Sequence, residues 1–226
     1  MGSAFGHILP LAVGVALSPL AIVAVLLMLF GQGGRAAGSA FLAGWVAGLL
    51  VVGGVALALS DAAEAAGGGG DESTFAGMMK LALGVLLLLL AARSWRSRPA
   101  SGEQPELPKW MNALDRLTAR KALWLGAVFS SLKLKNLVLL LAAVATISAS
   151  SASGAQEVAL LVGFTIVASL TVAAPVLTHL ALGDRAEEVL SPTKDWMARN
   201  NAATMAAILL AFGATLIGDA VSILSA

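Results

Sequence analysis

The chain has 226 residues, of which 58% are hydrophobic and 12% charged, and its mean hydropathy is +0.89. So apolar a chain cannot keep the wet surface of a soluble domain, which leaves a polytopic membrane protein. The formal net charge is +1, with basic residues segregated by loop rather than gathered in a patch, so nothing points to nucleic acid; the absence of cysteine excludes disulfides and thiol chemistry.

Apolar runs of about 20 residues, the length that crosses a hydrocarbon core of about 30 Å, predict six transmembrane helices. The first covers 7–30 and carries Ser18 and Pro19 at its middle. It lacks a basic leader and a clear small-residue cleavage site, so it reads as a retained span. A proline inside a helix removes a hydrogen bond and frees a carbonyl, so Pro19 marks either a simple kink, with Ser18 bonding back to its own helix, or part of a binding site. The second span, 37–59, contains Gly44 and Gly48, a small-residue pair suited to close packing within one bundle or to a dimer face. The acidic loop that follows includes the flexible run 67–70, which lacks the lysine of a phosphate loop.

The third span, 75–92, holds Lys80, which can snorkel to the interface. The longest polar segment comes next; from Lys109 to Arg120, Trp110, Met111, Leu114 and Leu117 recur at helical spacing among polar residues, predicting an interfacial helix or a solvated connector. The fourth span, 123–147, is the most unusual, because Lys133, Lys135 and Asn136 lie inside it with no acidic residue in any apolar segment to answer them. Charges at such depth are costly and usually functional. In a regular helix Lys133 and Asn136 share a face while Lys133 and Lys135 point about 200° apart. Either the helix unwinds there, or one lysine escapes to the interface, or one is neutral. The fifth span, 158–182, contains Pro175, a predicted kink, and His179, which reads as a hydrogen-bonded packing residue rather than a proton relay; the sixth covers 202–217 or a little beyond, with Asp219 near the outer interface and needing no partner.

Loops one, three and five hold eleven of the fourteen lysines and arginines, which places them in the cytoplasm and both termini outside. Trp95, Trp110, Trp124 and Trp196 fall near the same side, as an interfacial belt does. The chain thus divides into a three-helix unit (1–98), a basic linker (99–121) and a second three-helix unit (122–226). Three is odd, so the second unit must be inverted. A shift of 115 positions sets Ser18 and Pro19 on Lys133 and Leu134, and inverted repeats with interrupted helices are a secondary-transporter plan.

The segment PKWMNALDRLTARKALWLGAVFSSLKLKNLVLLLAAVA from Pro108, with GVALSP near the start, FLAGWVAGLL in the second span and WMARNNAATMAAILLAFGATLIGDAV near the end, resembles the actinobacterial Gap and sulfolipid-addressing protein family of the LysE exporter superfamily. The resemblance implies an all-α LysE-like fold of two inverted three-helix repeats and a role in moving envelope glycolipids or smaller solutes across the plasma membrane. It also implies that Gly14, Ser18 and Pro19 form one motif and that Gly126 with residues 133–136 forms its counterpart. Lys133 and Leu134 stand where that family usually has asparagine and proline, while Lys135 and Asn136 match it.

Other chemistries fit less well. Paired-cysteine electron transfer needs cysteines, and His7 and His179 lack companions at metal-ligand spacing. No nucleotide motif is present, so no cofactor is expected. A Ser/Lys catalytic pair would require Ser18 to meet a membrane lysine, of which the sequence gives no sign. The expectation is therefore an exporter, not an enzyme, working by alternating access around Ser18, Pro19 and residues 133–136, on an anionic (glyco)lipid or small solute. A LysE-type amino-acid carrier, a homodimer, or an accessory to other envelope-export proteins are the alternatives.

Overall fold

The structure, a computed structural model, describes residues 2–65, 72–97, 114, 117–150 and 152–225. These form α1 (Gly2–Ala16), α2 (Pro19–Phe30), α3 (Gly34–Ala65), α4 (Glu72–Arg96), α5 (Ala119–Ser131), α6 (Leu134–Ser148), α7 (Gly154–Leu182) and α8 (Ala186–Leu224), with a 3-10 turn at Gly183–Arg185. Four of them, α3, α4, α7 and α8, contain stretches long and apolar enough to cross a bilayer, and the pairs α1–α2 and α5–α6 raise the number to six if each pair counts as one span. An all-helical, multi-pass membrane protein results, as the composition requires. The run 67–70 and most of the linker, including the segment expected as an interfacial helix, lie outside the described residues. Of that linker, Leu114 is buried in the core and Leu117 packs against it, while Arg120 and Lys121 already belong to α5.

Three features depart from the sequence reading. The segments expected as the first and fourth spans are each two helices, bent by 52° at Leu17 and Ser18 and by 60° at Leu132 and Lys133. The fifth loop is mostly helix: α8 starts at Ala186, so Lys194 and Arg199 lie on it. Strong helix formers in AEEVL, with Glu187 and Glu188 in the first turn favoured by the helix dipole, account for that early start. Finally, α8 stays helical to Leu224 and carries Asp219 within the apolar stretch Ala202–Leu224, where its Oδ2 lies 3.8 Å from Lys80 Nζ. Lys80 therefore does not stand alone, and Asp219 has the partner that its position near the span's end had not required.

Small residues set which helices touch. α4 and α8 cross where Gly84 meets the carbonyl of Gly213 and Gly213 meets that of Gly84; a Cβ at either would lie 3.1 Å from the other's oxygen. Lys80 and Asp219 flank this antiparallel crossing on one side. α3 and α5 approach still more closely. A Cβ at Gly44 would strike the Leu123 carbonyl, one at Gly48 the backbone of Ala127 at 2.7 Å, and one at Gly126 the Phe41 carbonyl. Gly44 and Gly48 thus serve packing inside the bundle, the mode that small-residue pairs use to bring backbones together. Around this seam Phe41, Trp45 and Leu49 are fully buried. The remaining arrangement lays α1 against α6 and α7, and α2 against α3, α7 and α8, so the break between α1 and α2 is enclosed by the second half of the chain.

Candidate functional site: a polar network joining two helix breaks

Pro19 occupies the first turn of α2, where a missing N–H costs nothing, and Ser18 stands at the N-cap position with a non-helical backbone, φ −116° and ψ 82°. The Ser18 carbonyl starts α2 by accepting from Ala21 N at 2.9 Å and Ile22 N at 3.1 Å. On the other side of the break, α1 ends with carbonyls that have no partner in their own helix. Lys135, reaching over from α6, supplies one. Its ammonium donates to Gly14 O at 2.7 Å, to Leu17 O at 3.1 Å and to Ser18 Oγ at 2.9 Å. The Thr171 hydroxyl of α7 donates to Ala16 O, so two helices, α6 and α7, converge on the end of α1.

The network continues to the second break. Ser18 Oγ donates to Asn136 Oδ1 at 3.3 Å, and Asn136 Nδ2 donates to Phe129 O at 2.9 Å, near the end of α5. Ser18, Lys135 and Asn136 are 0%, 4% and 0% exposed. Buried polar groups keep such positions only when they are hydrogen-bonded, and here every partner is named. Among the described residues no carboxylate takes part. The negative end of the α1 dipole, concentrated on its last carbonyls, stands in for the missing counter-ion.

Of the residues expected at the site, Gly14, Ser18, Pro19, Lys135 and Asn136 come together. Gly14 contributes its carbonyl, and its lack of a side chain lets α1 pass Leu139 of α6 and Phe212 of α8, whose side-chain carbons would be 2.9 Å and 2.7 Å from a Cβ. Lys133 is adjacent but separate: half-buried at the cap of α6, it holds its ammonium 5.3 Å from the centre of the Phe129 ring. The regular-helix expectation that Lys133 shares a face with Asn136 gives way, because the break falls between Leu132 and Leu134 and resets the phase. Gly126 lies in the α3–α5 seam, against Phe41 and Trp45, one turn before the Phe129 carbonyl that closes the network. Pro175 is buried within α7, which stays helical on both sides of it.

Sequence reasoning overlooked Leu17, Phe129 and Thr171. The first two act through backbone carbonyls, which no side-chain motif can reveal, and Thr171 is a single threonine in an apolar helix. Nor did it foresee that Ser18 meets Lys135, a contact between residues 117 positions apart. His179 is buried, as a packing residue is, but its Nδ1 has no hydrogen-bond partner, so the expected hydrogen bond is not made through that nitrogen.

A model of the family described as Sap, sulfolipid-1-addressing protein, matches residues 8–222, a range that includes both breaks and the whole network, and the chain belongs to that family. No match was found among curated proteins or solved structures.

Proposed function

We propose that this member of the sulfolipid-1-addressing protein family is a plasma-membrane translocator of an envelope (glyco)lipid or small anionic solute, with LysE-like inverted repeats that rock around the two helix breaks. The observation that carries the reading is the junction itself: two interrupted spans whose breaks are linked through Lys135, Ser18 and Asn136 in an otherwise apolar bundle. Discontinuous helices meeting around a polar centre are how alternating-access carriers build a site, because the broken ends expose backbone groups that a ligand can use. The breaks at Ser18 and Lys133 are 115 residues apart. α5 lies along α3 as α1 lies along α7, and α4 pairs with α8, which is the exchange of partners that two inverted three-helix units would make. The charge distribution of the loops supports basic loops in the cytoplasm and both termini outside.

A carrier fits the network better than an enzyme does. Lys135 spends its three hydrogens on fixed acceptors, and the Ser18 hydroxyl is turned to Asn136, so neither is set as base or nucleophile. Lipid and metabolite profiling of envelope and cytosol, in cells with and without the protein, tests the reading. A translocator predicts that one anionic glycolipid or solute is depleted outside and accumulates inside when the protein is lost. Unchanged profiles overturn it, and transport by the purified protein in vesicles separates a carrier from an accessory of a larger export complex.

A further inference from the structure

No carboxylate among the described residues pairs with Lys135, yet its ammonium is saturated: each of its three hydrogens has an acceptor, two of them carbonyls at the negative end of α1. With Ser18 and Asn136 fully buried around it, nothing from either side of the membrane reaches this cation while those bonds stand. We propose that the C-terminal end of α1 is a built-in competitor for Lys135, holding it while the break is closed and yielding it to a sulfate, phosphate or carboxylate group of the cargo when α1 and α6 part. The inference rests on the carrier reading and adds a division of labour to it: Lys133, outside the network, is the cation that an approaching anion meets first, and Lys135 is the latch.

The physical argument is one of exchange. Moving α1 away from α6 strips a cation of three acceptors at once, in surroundings where a bare charge is strongly unfavourable. Water replaces those bonds in part. An anion replaces them and adds a charge–charge attraction, so it stabilises the open state more than the closed one, which is the condition for a ligand to shift a conformational equilibrium. In the absence of an anionic cargo the break stays shut.

The chain has no cysteine, so Ala16→Cys, at a buried position beside the break, reports opening through its rate of reaction with a soluble maleimide. In phosphatidylcholine vesicles the purified Ala16→Cys protein should react slowly. The rate should rise when part of the lipid is phosphatidylglycerol, if a lipid headgroup is the anion recognised, or when sulfate replaces chloride at equal ionic strength, if a free anion suffices. Adding Lys135→Met should raise the basal rate about tenfold or more, the effect of losing strong hydrogen bonds to a buried charge, and abolish the response to both anions; Lys135→Arg should keep that response. Should Lys135→Met not fold, Ser18→Ala removes one of the three acceptors and should itself speed basal labelling while leaving the anion response. No response to either anion in the parent protein, an undiminished response in Lys135→Met, or an unchanged basal rate in Ser18→Ala overturns the proposal. The readout needs no transport: an anion-responsive latch in cells whose envelope profile is indifferent to the protein keeps this inference and discards the translocator, and transport with anion-insensitive labelling does the reverse.

Discussion

The two helix breaks reach similar bends, 52° and 60°, by different chemistry. The first has a proline at its new N-terminus and is sealed from outside by Lys135, Asn136 and Thr171, none of which belongs to its own span. The second has no proline. Its preceding helix, α5, is seated by direct backbone contact on α3, and Asn136 of its following helix turns back to the Phe129 carbonyl. The first break is therefore held by a reversible polar clasp, and the second by close packing that leaves little to release. If the spans move against one another, the difference assigns the moving joint to α1–α2 and the fixed one to α5–α6.

The largest expected effect comes from opening the clasp. Lys135→Met forfeits three charge-assisted bonds and leaves buried carbonyls unpaired, while relieving the desolvation of one ammonium; the balance is a loss of about 3 kcal/mol. Lys133→Met removes only a cation–π contact and should cost about 1 kcal/mol or less. Equilibrium unfolding in mixed micelles checks the ordering, and equal losses for the two lysines would erase the distinction between clasped and packed breaks.

Next in size is the seat of α5. Gly126→Ala places a methyl on the Phe41 carbonyl, a backbone atom that cannot step aside, and overpacking of that kind costs about 1–3 kcal/mol. Gly14→Ala meets only the side chains of Phe212 and Leu139, which can turn, so it should cost less in the same unfolding measurement. The reverse order would mean that α1, not α5, is the rigidly seated helix.

Much of this contrast was legible in the sequence, and the limit is instructive. Four of the six apolar runs correspond to helices able to cross a bilayer, and the other two to the bent pairs, because length and hydropathy are local properties. Pro19 marked the first break because proline has no N–H. The misplaced polarity of Lys133, Lys135 and Asn136 marked the second as unusual, although Leu134 offers no proline there to enforce a break. The pairing of Lys135 with the end of α1 could not be read, since its acceptors include main-chain carbonyls that every residue possesses. Lys80 and Asp219 were each explained separately for the same reason: which charges meet depends on where α4 crosses α8, and Gly84 and Gly213 decide that only once the helices are packed.

A smaller effect is expected at Pro19. Because the acceptors of Lys135 persist, Pro19→Ala should leave the break in place and change stability by about 1 kcal/mol or less, through the greater freedom of the unfolded chain. Its consequence should appear in function, as reduced export at normal membrane insertion, because an N–H returns at the joint that has to move. Export equal to the parent at equal expression would make Pro19 a packing kink only.

The smallest effect is expected where the second break lacks the proline that the first one has. Leu134 is the first residue of α6, the position at which proline is best tolerated, because its N–H has no partner in the helix and its fixed φ suits the first turn. Lys133, which precedes it, already has φ −67° and ψ 124°, the extended conformation that a following proline demands. The Leu134 side chain is 48% exposed, so little packing is lost with it. Leu134→Pro should therefore be accepted with unchanged export and a gain of about 0.5 kcal/mol, arising in the unfolded state. A marked loss of stability in mixed-micelle unfolding would show that the second break needs an N–H at residue 134, and hence that it is hinged rather than fixed.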